Sequence, residues 1–425
     1  MRAVKEKVQR PQIADESDAS VIAPALQSCA GRQLSSAYVD RPEDLARVAH
    51  GLCGRARIAV DLEADSMFHY QERVCLIQLA VEGQGYLVDP LALPDLDALK
   101  PAFGDPAILK IFHGADYDIR SLYRDFTMDV GPIFDTELAS RFLGYTHSGL
   151  EAMVKKLLDV DLDKRFQRKD WSQRPLPPAM VAYALGDACY LLPLAEILEK
   201  ALKDKGRWAW VREECDLLSR VRPATDNGDP LFLRFKGAGR LKPRELAVLE
   251  NLLHFRDRMA RRKDRPWFKI MGSAPLLAVA QKQPQSFKAL EKTRALSRRQ
   301  LQMYGDAMVA CVQEALSLDQ RDLPAYPRRR APKPDPAFAE RMQVLKQWRD
   351  DVADRLELDG ALLCNKALMG RIVGVQPLGL EELGRVEGLR KWQLAEFGPQ
   401  IVDVLSKVPG HSRKSRRRAR RRRKS

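Results

Sequence analysis

At 425 residues the chain is longer than one hydrophobic core supports, and its length suggests about three domains. Hydrophobic residues make up 45% and charged residues 30%, the balance of an ordinary globular protein, and no apolar run approaches the ~18 residues that cross a bilayer. Formal net charge is +15, of which ten basic residues with no intervening acid lie between Arg413 and Lys424, leaving +5 on the rest. A tail of that kind attracts phosphate backbones without sequence preference, so nucleic acid is the expected partner, with a surface-adhesive or solubilising tail as the alternative. The seven cysteines are scattered singly with no CxxC, which excludes a disulfide framework and zinc-ligand spacing and fits a reducing compartment. The basic stretch Met1 to Arg10 leads into acidic and small residues rather than an apolar segment, so a cytoplasmic location is expected.

Residues 1–35 lack sustained periodicity and read as an arm ahead of the ordered chain. A short strand is predicted at Tyr38-Val39. A helix follows from Pro42 towards Leu52, with a proline and two acids in its first turn, as the helix dipole favours. Strands are predicted at Ile58–Leu62, Val74–Ala80 and Gly85–Asp89, and their short links favour antiparallel neighbours. Leu96, Leu99 and Phe103 then mark a helix, Ile108–Phe112 a strand, Tyr117–Phe126 a helix and Ile133–Asp135 a short strand. Helices at Leu138–Leu143, Gly149–Leu158 and Pro178–Lys203 complete the region. A meander that continues as alternating strand and helix implies a mixed sheet with helices on both sides.

Val221 to Pro230 reads as a linker, and everything beyond it is helical with turn punctuation. A proline-basic stretch from Pro324 to Pro334 splits that part in two. Phe255-Arg256-Asp257 with Ala260 recurs as Trp348-Arg349-Asp350 with Ala353, an offset of 93 residues, which suggests two related helical modules. The expected organisation is an arm (1–35), an α/β domain (36–220), two helical domains (230–318 and 335–408) and a basic tail (409–425).

Chemistry concentrates at the end of the first long strand, where Asp61 and Glu63 alternate with Leu62 and so point the same way. Two carboxylates placed so close repel unless a cation lies between them, and a hard divalent ion is the natural one. Taken alone the pair could be solvated acids at a strand end. Asp116 and Asp118 lie where a strand turns into a helix, a usual place for functional groups in α/β sheets, although either could be a helix cap. Tyr183 and Asp187 share a helix face at i,i+4 spacing. Ahead of them, Lys169-Asp170-Trp171-Ser172 and Arg174-Pro175-Leu176 form a cationic, aromatic loop.

Together, the DxE of Asp61 and Glu63, the HGADxDIxxL stretch with Asp118, the KDWSxRPL loop and the YxxxD of Tyr183 and Asp187 resemble the motifs of the DEDDy 3'-to-5' exonucleases, the ribonuclease D group in particular. The two FRDxxA-type segments resemble helicase-and-RNase-D C-terminal (HRDC) domains, although the second lacks the Asp264-Arg265-Pro266 that follows the first. The resemblance implies a ribonuclease H-like α/β exonuclease domain followed by two all-α HRDC-like domains. It also implies two divalent cations, Mg²⁺ or Mn²⁺, held by Asp61, Glu63, Asp118 and Asp187. Asp61 would be shared by both ions, Glu63 and Asp187 would serve the attacking side, Asp118 the leaving-group side, and Tyr183 would orient the attacking water. The implied substrate is RNA with a single-stranded 3' end, transfer RNA precursors among them, cut to nucleoside 5'-monophosphates by a monomeric enzyme.

His69, Tyr70, His113, Trp171 and Arg174 are the candidate substrate contacts, with a packing role as the alternative for Trp171 and His113. Lys263, Lys269, Lys282, Lys288 and Lys292 are candidate phosphate contacts. Two other readings compete: a DNA exonuclease of the same superfamily, and a catalytically silent RNA-binding protein. The ribonuclease D loop and the HRDC pair disfavour the first, and the presence of all four acids and the tyrosine disfavours the second. No GxxxxGK[ST] loop accompanies the HRDC-like segments, which excludes a helicase.

Overall fold

The computed structural model describes residues 35–225, 227–327 and 337–408; the expected arm and basic tail lie outside them. The chain divides into two compact units, one of residues 1–63, 74–223 and 332–425, the other of 64–73 and 224–331.

The first unit is built on a mixed six-stranded sheet. Its strands are β1 (Ser35–Val39), β2 (Arg57–Ala64), β3 (Val74–Val81), β4 (Gln84–Val88), β5 (Leu109–Phe112) and β6 (Ile133–Asp135), in the spatial order β1-β4-β3-β2-β5-β6. β3 and β4 form the expected antiparallel pair, with Ile77 opposite Val88. β1 joins the edge parallel to β4, and β2, β5 and β6 run parallel to one another. Every residue of β3 is buried, as expected of an apolar strand covered on both faces. β2 therefore lies inside the sheet rather than at an edge.

The helices of this unit before residue 224 are α1 (Pro42–Leu52), α2 (Lys100–Gly104), α3 (Asp116–Phe126), α4 (Thr136–Phe142), α5 (Leu150–Leu158), α6 (Pro178–Asp204) and α7 (Trp208–Leu218). α6 packs along β3, β4 and β5. Contrary to the sequence expectation, α6 is long and apolar enough to cross a membrane by length and composition, with a mean hydropathy of 1.4 over its most apolar window. The physical reason is that a helix lying along a sheet inside a large core needs apolar residues on most of its circumference. Leu191, Leu194, Ala195 and Leu198 are all buried there.

In the second unit, α8 (Pro243–Lys263) packs against α9 (Trp267–Ile270), α10 (Ser273–Lys282) and α12 (Arg298–Ser317), with α11 (Phe287–Lys292) against α12. Leu249, Leu252, Phe255, Met308 and Val312 form its core, and Tyr70 from segment 64–73 packs on that core.

The second helical module consists of α13 (Phe338–Leu356), α14 (Gly360–Leu363), α15 (Lys366–Val375), α16 (Leu380–Gly384) and α17 (Lys391–Ser406). Its likeness to the first extends to backbone detail. Arg256 donates to the Met271 carbonyl and Arg349 to the Cys364 carbonyl, both at 3.4 Å. Left-handed φ values at Asp264 and Gln283 recur at Glu357 and Gln376, again 93 residues on. The second module nevertheless belongs to the sheet unit. Trp210 of α7 stacks on Trp392 of α17 with ring centroids 4.8 Å apart, and Phe142 meets the edge of Trp392 at 5.6 Å. Glu213 accepts the backbone N–H groups of Lys391 and Trp392, and Glu214 accepts Arg390 Nε and Trp392 Nε1. Arg207 donates to the carbonyls of Phe142 and Leu356. At Gly144 (φ +93°) a Cβ would lie 2.5 Å from the Glu357 carbonyl oxygen, so only glycine fits that approach.

Candidate active site

Asp61 and Glu63 project from β2, and Asp187 comes from the middle of α6. One carboxylate oxygen from each of the three lies within 4.8 Å of the others, which fits a hard cation coordinated by oxygen alone. Asp118, in the first turn of α3, is buried outside this tight trio but within electrostatic reach of it. Four acids gathered this way are reluctant to ionise together. Burial pushes Asp61 up to about 6 and, with the repulsion of Asp61, Asp187 up to about 8. Glu63 is raised by burial and by Asp61, Asp187 and Asp118, and Asp118 by burial, Asp61 and Asp135. Such carboxylates become comfortable as anions when divalent charge is placed among them, so the donor set fits the metals that the motifs imply.

Tyr183 lies one turn before Asp187 and hydrogen-bonds to it. Burial and the neighbouring carboxylates raise its phenol further above its ordinary value, so it stays protonated near neutrality. Its ring is held between two aromatic neighbours, Trp171 with centroids 5.9 Å away and Phe166 at 5.8 Å.

Sequence reasoning missed Asp135. This buried residue ends β6 and caps α4, accepting the N–H groups of Glu137 and Leu138. It also accepts the N–H groups of Gly114 and Ala115 at 2.9 and 2.8 Å, which fixes the turn that leads into α3 and so the position of Asp118. An Asp-Thr-Glu run at a strand end signals the cap; the second pair of donors comes from about twenty residues away and has no local signal.

The expected substrate contacts have these partners within the chain. Trp171 is 1% exposed and packs against Tyr183, the packing role that the sequence offers as its alternative. Arg174 is committed to Asp89, with 2.6 and 2.7 Å bonds to its two oxygens, and to the carbonyls of Cys75 and Trp171. His113 bonds Thr136 Oγ1 through Nδ1, and burial pushes it down to about 4, so it is neutral and structural. His69 and Tyr70 belong to the other unit, where His69 Nδ1 meets Asp264 and the Tyr70 hydroxyl donates to Asp257. Among the candidate lysines, Lys263 donates to the Tyr304 hydroxyl, Lys282 donates to the Thr293 carbonyl and Lys269 lies over the Phe68 ring.

The family model for 3'-5' exonucleases matches residues 37–203, and that for HRDC domains matches twice, at 245–312 and 338–405. Ribonuclease D of Granulibacter bethesdensis is 31% identical over 337 residues, covering 76% of this chain and 83% of that protein. The crystal structure of Escherichia coli RNase D shares the fold, with a TM-score of 0.68 and 24% identity over 88% of this chain and 100% of that one. The catalytic core of RRP6 from Trypanosoma brucei matches at 30% identity and a TM-score of 0.58, over 67% of this chain and 80% of that one. Fold and site thus define a 3'-5' exonuclease of a divalent-metal-dependent class. The chain belongs to the ribonuclease D family, and its activity is hydrolysis of RNA from the 3' end.

Proposed function

We propose that this exoribonuclease matures the 3' ends of structured RNA, transfer RNA precursors in particular, as a cytoplasmic monomer holding two Mg²⁺ or Mn²⁺ ions. The observation that carries the site assignment is the convergence of Asp61, Glu63 and Asp187, with Asp118 in electrostatic reach. These four carboxylates would hold the ions, with Asp61, nearest in electrostatic coupling to both Asp187 and Asp118, shared between them. When bound, the two ions supply an acidified water and neutralise charge on the attacking and leaving oxygens. Tyr183, whose O–H donates to Asp187 and whose ring packs against Trp171 and Phe166, would orient that water by a hydrogen bond to its phenol oxygen. Its raised pKa argues against a role as general base. The arginine-rich tail, outside the described residues, adds non-specific RNA affinity that fades with salt.

The test is divalent-dependent release of mononucleotides from a 3'-extended transfer RNA precursor, compared with single-stranded DNA, in the wild type and in Asp61→Asn and Asp187→Asn. Both variants should keep the fold and lose about 10³-fold or more in rate, the loss of several kcal/mol of charge stabilisation. Equal turnover of DNA would overturn the preference for RNA. Variants that unfold as they lose activity would make these acids structural.

A further inference from the structure

Among the described residues the exposed tryptophan and phenylalanine side chains, Trp267, Phe268 and Phe287, all lie in the helical unit, and the first two are neighbours on α9, 49% and 53% exposed. A buried residue that the fold needs does not leave half its ring in water, and two adjacent aromatics in that state mark an interaction surface. Trp267 is held in place: its Nε1 donates to Asp257 Oδ1 at 3.0 Å, the same oxygen that accepts the Tyr70 hydroxyl at 2.7 Å. One shared acceptor thus ties the edge of Trp267 to segment 64–73, which continues directly from the strand carrying Asp61 and Glu63.

Cations alternate with these rings. The partly buried Arg256 lies over Trp267 at 5.6 Å, Arg261 over Tyr70 at 5.4 Å and Lys269 over Phe68 at 4.4 Å. Residues 256 to 269 contain seven basic and two acidic side chains. Protein-docking patches are depleted of charge at their centre, whereas rings interleaved with cations suit a polyanion that carries stackable bases. We propose that Trp267 and Phe268, with Phe68 and Lys269 beside them, form a platform on which bases of single-stranded RNA stack while Arg261 and Lys269 meet its phosphates. This deepens the reading of the chain as an RNA exonuclease by naming the subsite that holds RNA away from the cleaved end. The hydrogen bond on Trp267 means that little ordering is left to occur on binding.

The experiment uses the full chain in EDTA, so that binding is read without hydrolysis, and a single-stranded RNA of about 12 nucleotides, enough to occupy a stacking groove. Trp267→Ala and Phe268→Ala should each raise Kd about tenfold, as loss of a stacked base does, with unchanged melting temperature. Trp267→Phe should restore most of the affinity, and wild-type tryptophan fluorescence should quench on RNA addition through Trp267. Unchanged Kd in both alanine variants overturns the platform, as does a fluorescence change that persists in Trp267→Phe. A wild type that stacks RNA in EDTA yet hydrolyses none with metal would instead overturn the catalytic reading and leave the platform standing.

Discussion

At the scale of single residues, Arg174 shows how tightly a motif side chain can be tied to an internal acid. Asp89 is buried at the end of the β3–β4 hairpin, and burial alone would raise its pKa. Arg174 and the Tyr38 hydroxyl outweigh that and hold it below the usual carboxylate range. Removing the guanidinium leaves an uncompensated buried charge, so Arg174→Ala should cost about 3–5 kcal/mol in urea denaturation. RNA affinity of the folded fraction should be unchanged. The acids of the candidate metal site behave oppositely. Their folded pKa values lie above those of the unfolded chain, about 4, so the metal-free folded state binds more protons between that pH and the folded values. Stability contributed by these groups is present below pH 4 and is lost as pH rises through about 6 and then 8. Melting temperature in EDTA should therefore fall across pH 5–8, and saturating Mg²⁺ should flatten the slope. An identical slope with and without metal would mean that these acids do not bind it.

At the scale of elements, Asp135 couples two of them. It caps α4 and anchors the turn before α3, satisfying four backbone N–H groups at once. Asp135→Ala should lose about 2–4 kcal/mol, from the cap and from buried donors left unmet. The saturating rate should drop further, because the first turn of α3 carries Asp118. Urea denaturation read beside single-turnover kinetics separates the two effects. Elements set by local chemistry were legible in the sequence: Ile133–Asp135 forms the strand its apolar run announces, and Pro42 and Pro178 open helices as proline at a first turn does. The parallel pairing of β1 with β4 was not, since turn lengths speak only of successive strands. Trp171 and Arg174 are candidate RNA contacts by sequence, with packing the alternative for Trp171, because a cationic aromatic loop has the same composition whether it meets RNA or an internal acid; the pairing of Arg174 with Asp89, 85 residues away, has no local signal. The convergence of Asp61, Glu63 and Asp187 was legible because spacing encodes faces, one strand face for Asp61 and Glu63 and one helix face for Tyr183 and Asp187, whereas Asp118 was carried by its motif alone.

At the scale of the whole molecule, two modules with the same internal pattern have different attachments. The first packs around segment 64–73, whereas the second shares an uninterrupted core with the sheet unit, through Trp210, Trp392, Phe142 and Phe397. The difference lies in few residues. Glu213 and Glu214 sit on α7 as ordinary helix-surface acids in sequence, yet they accept four hydrogen bonds from the start of the last helix. Ending the chain after residue 331 would expose the stacked indole of Trp210, uncover Phe142, leave Glu213 and Glu214 without those partners and take the Leu356 carbonyl from Arg207. Breaking one buried charged contact costs about 3–5 kcal/mol. At about 2–4 °C of melting temperature per kcal/mol for a unit of this size, the truncated protein should melt roughly 10 °C or more below the full chain. Its loss of activity at 37 °C should track unfolding rather than RNA affinity, with the rate at low temperature recovering towards that of the full chain. Removing the basic tail alone, residues 410–425, should leave the melting temperature unchanged and weaken RNA binding only at low salt. A truncation after 331 that melts like the full chain and loses only RNA affinity would make the second module an RNA-holding arm instead of a buttress of the catalytic sheet.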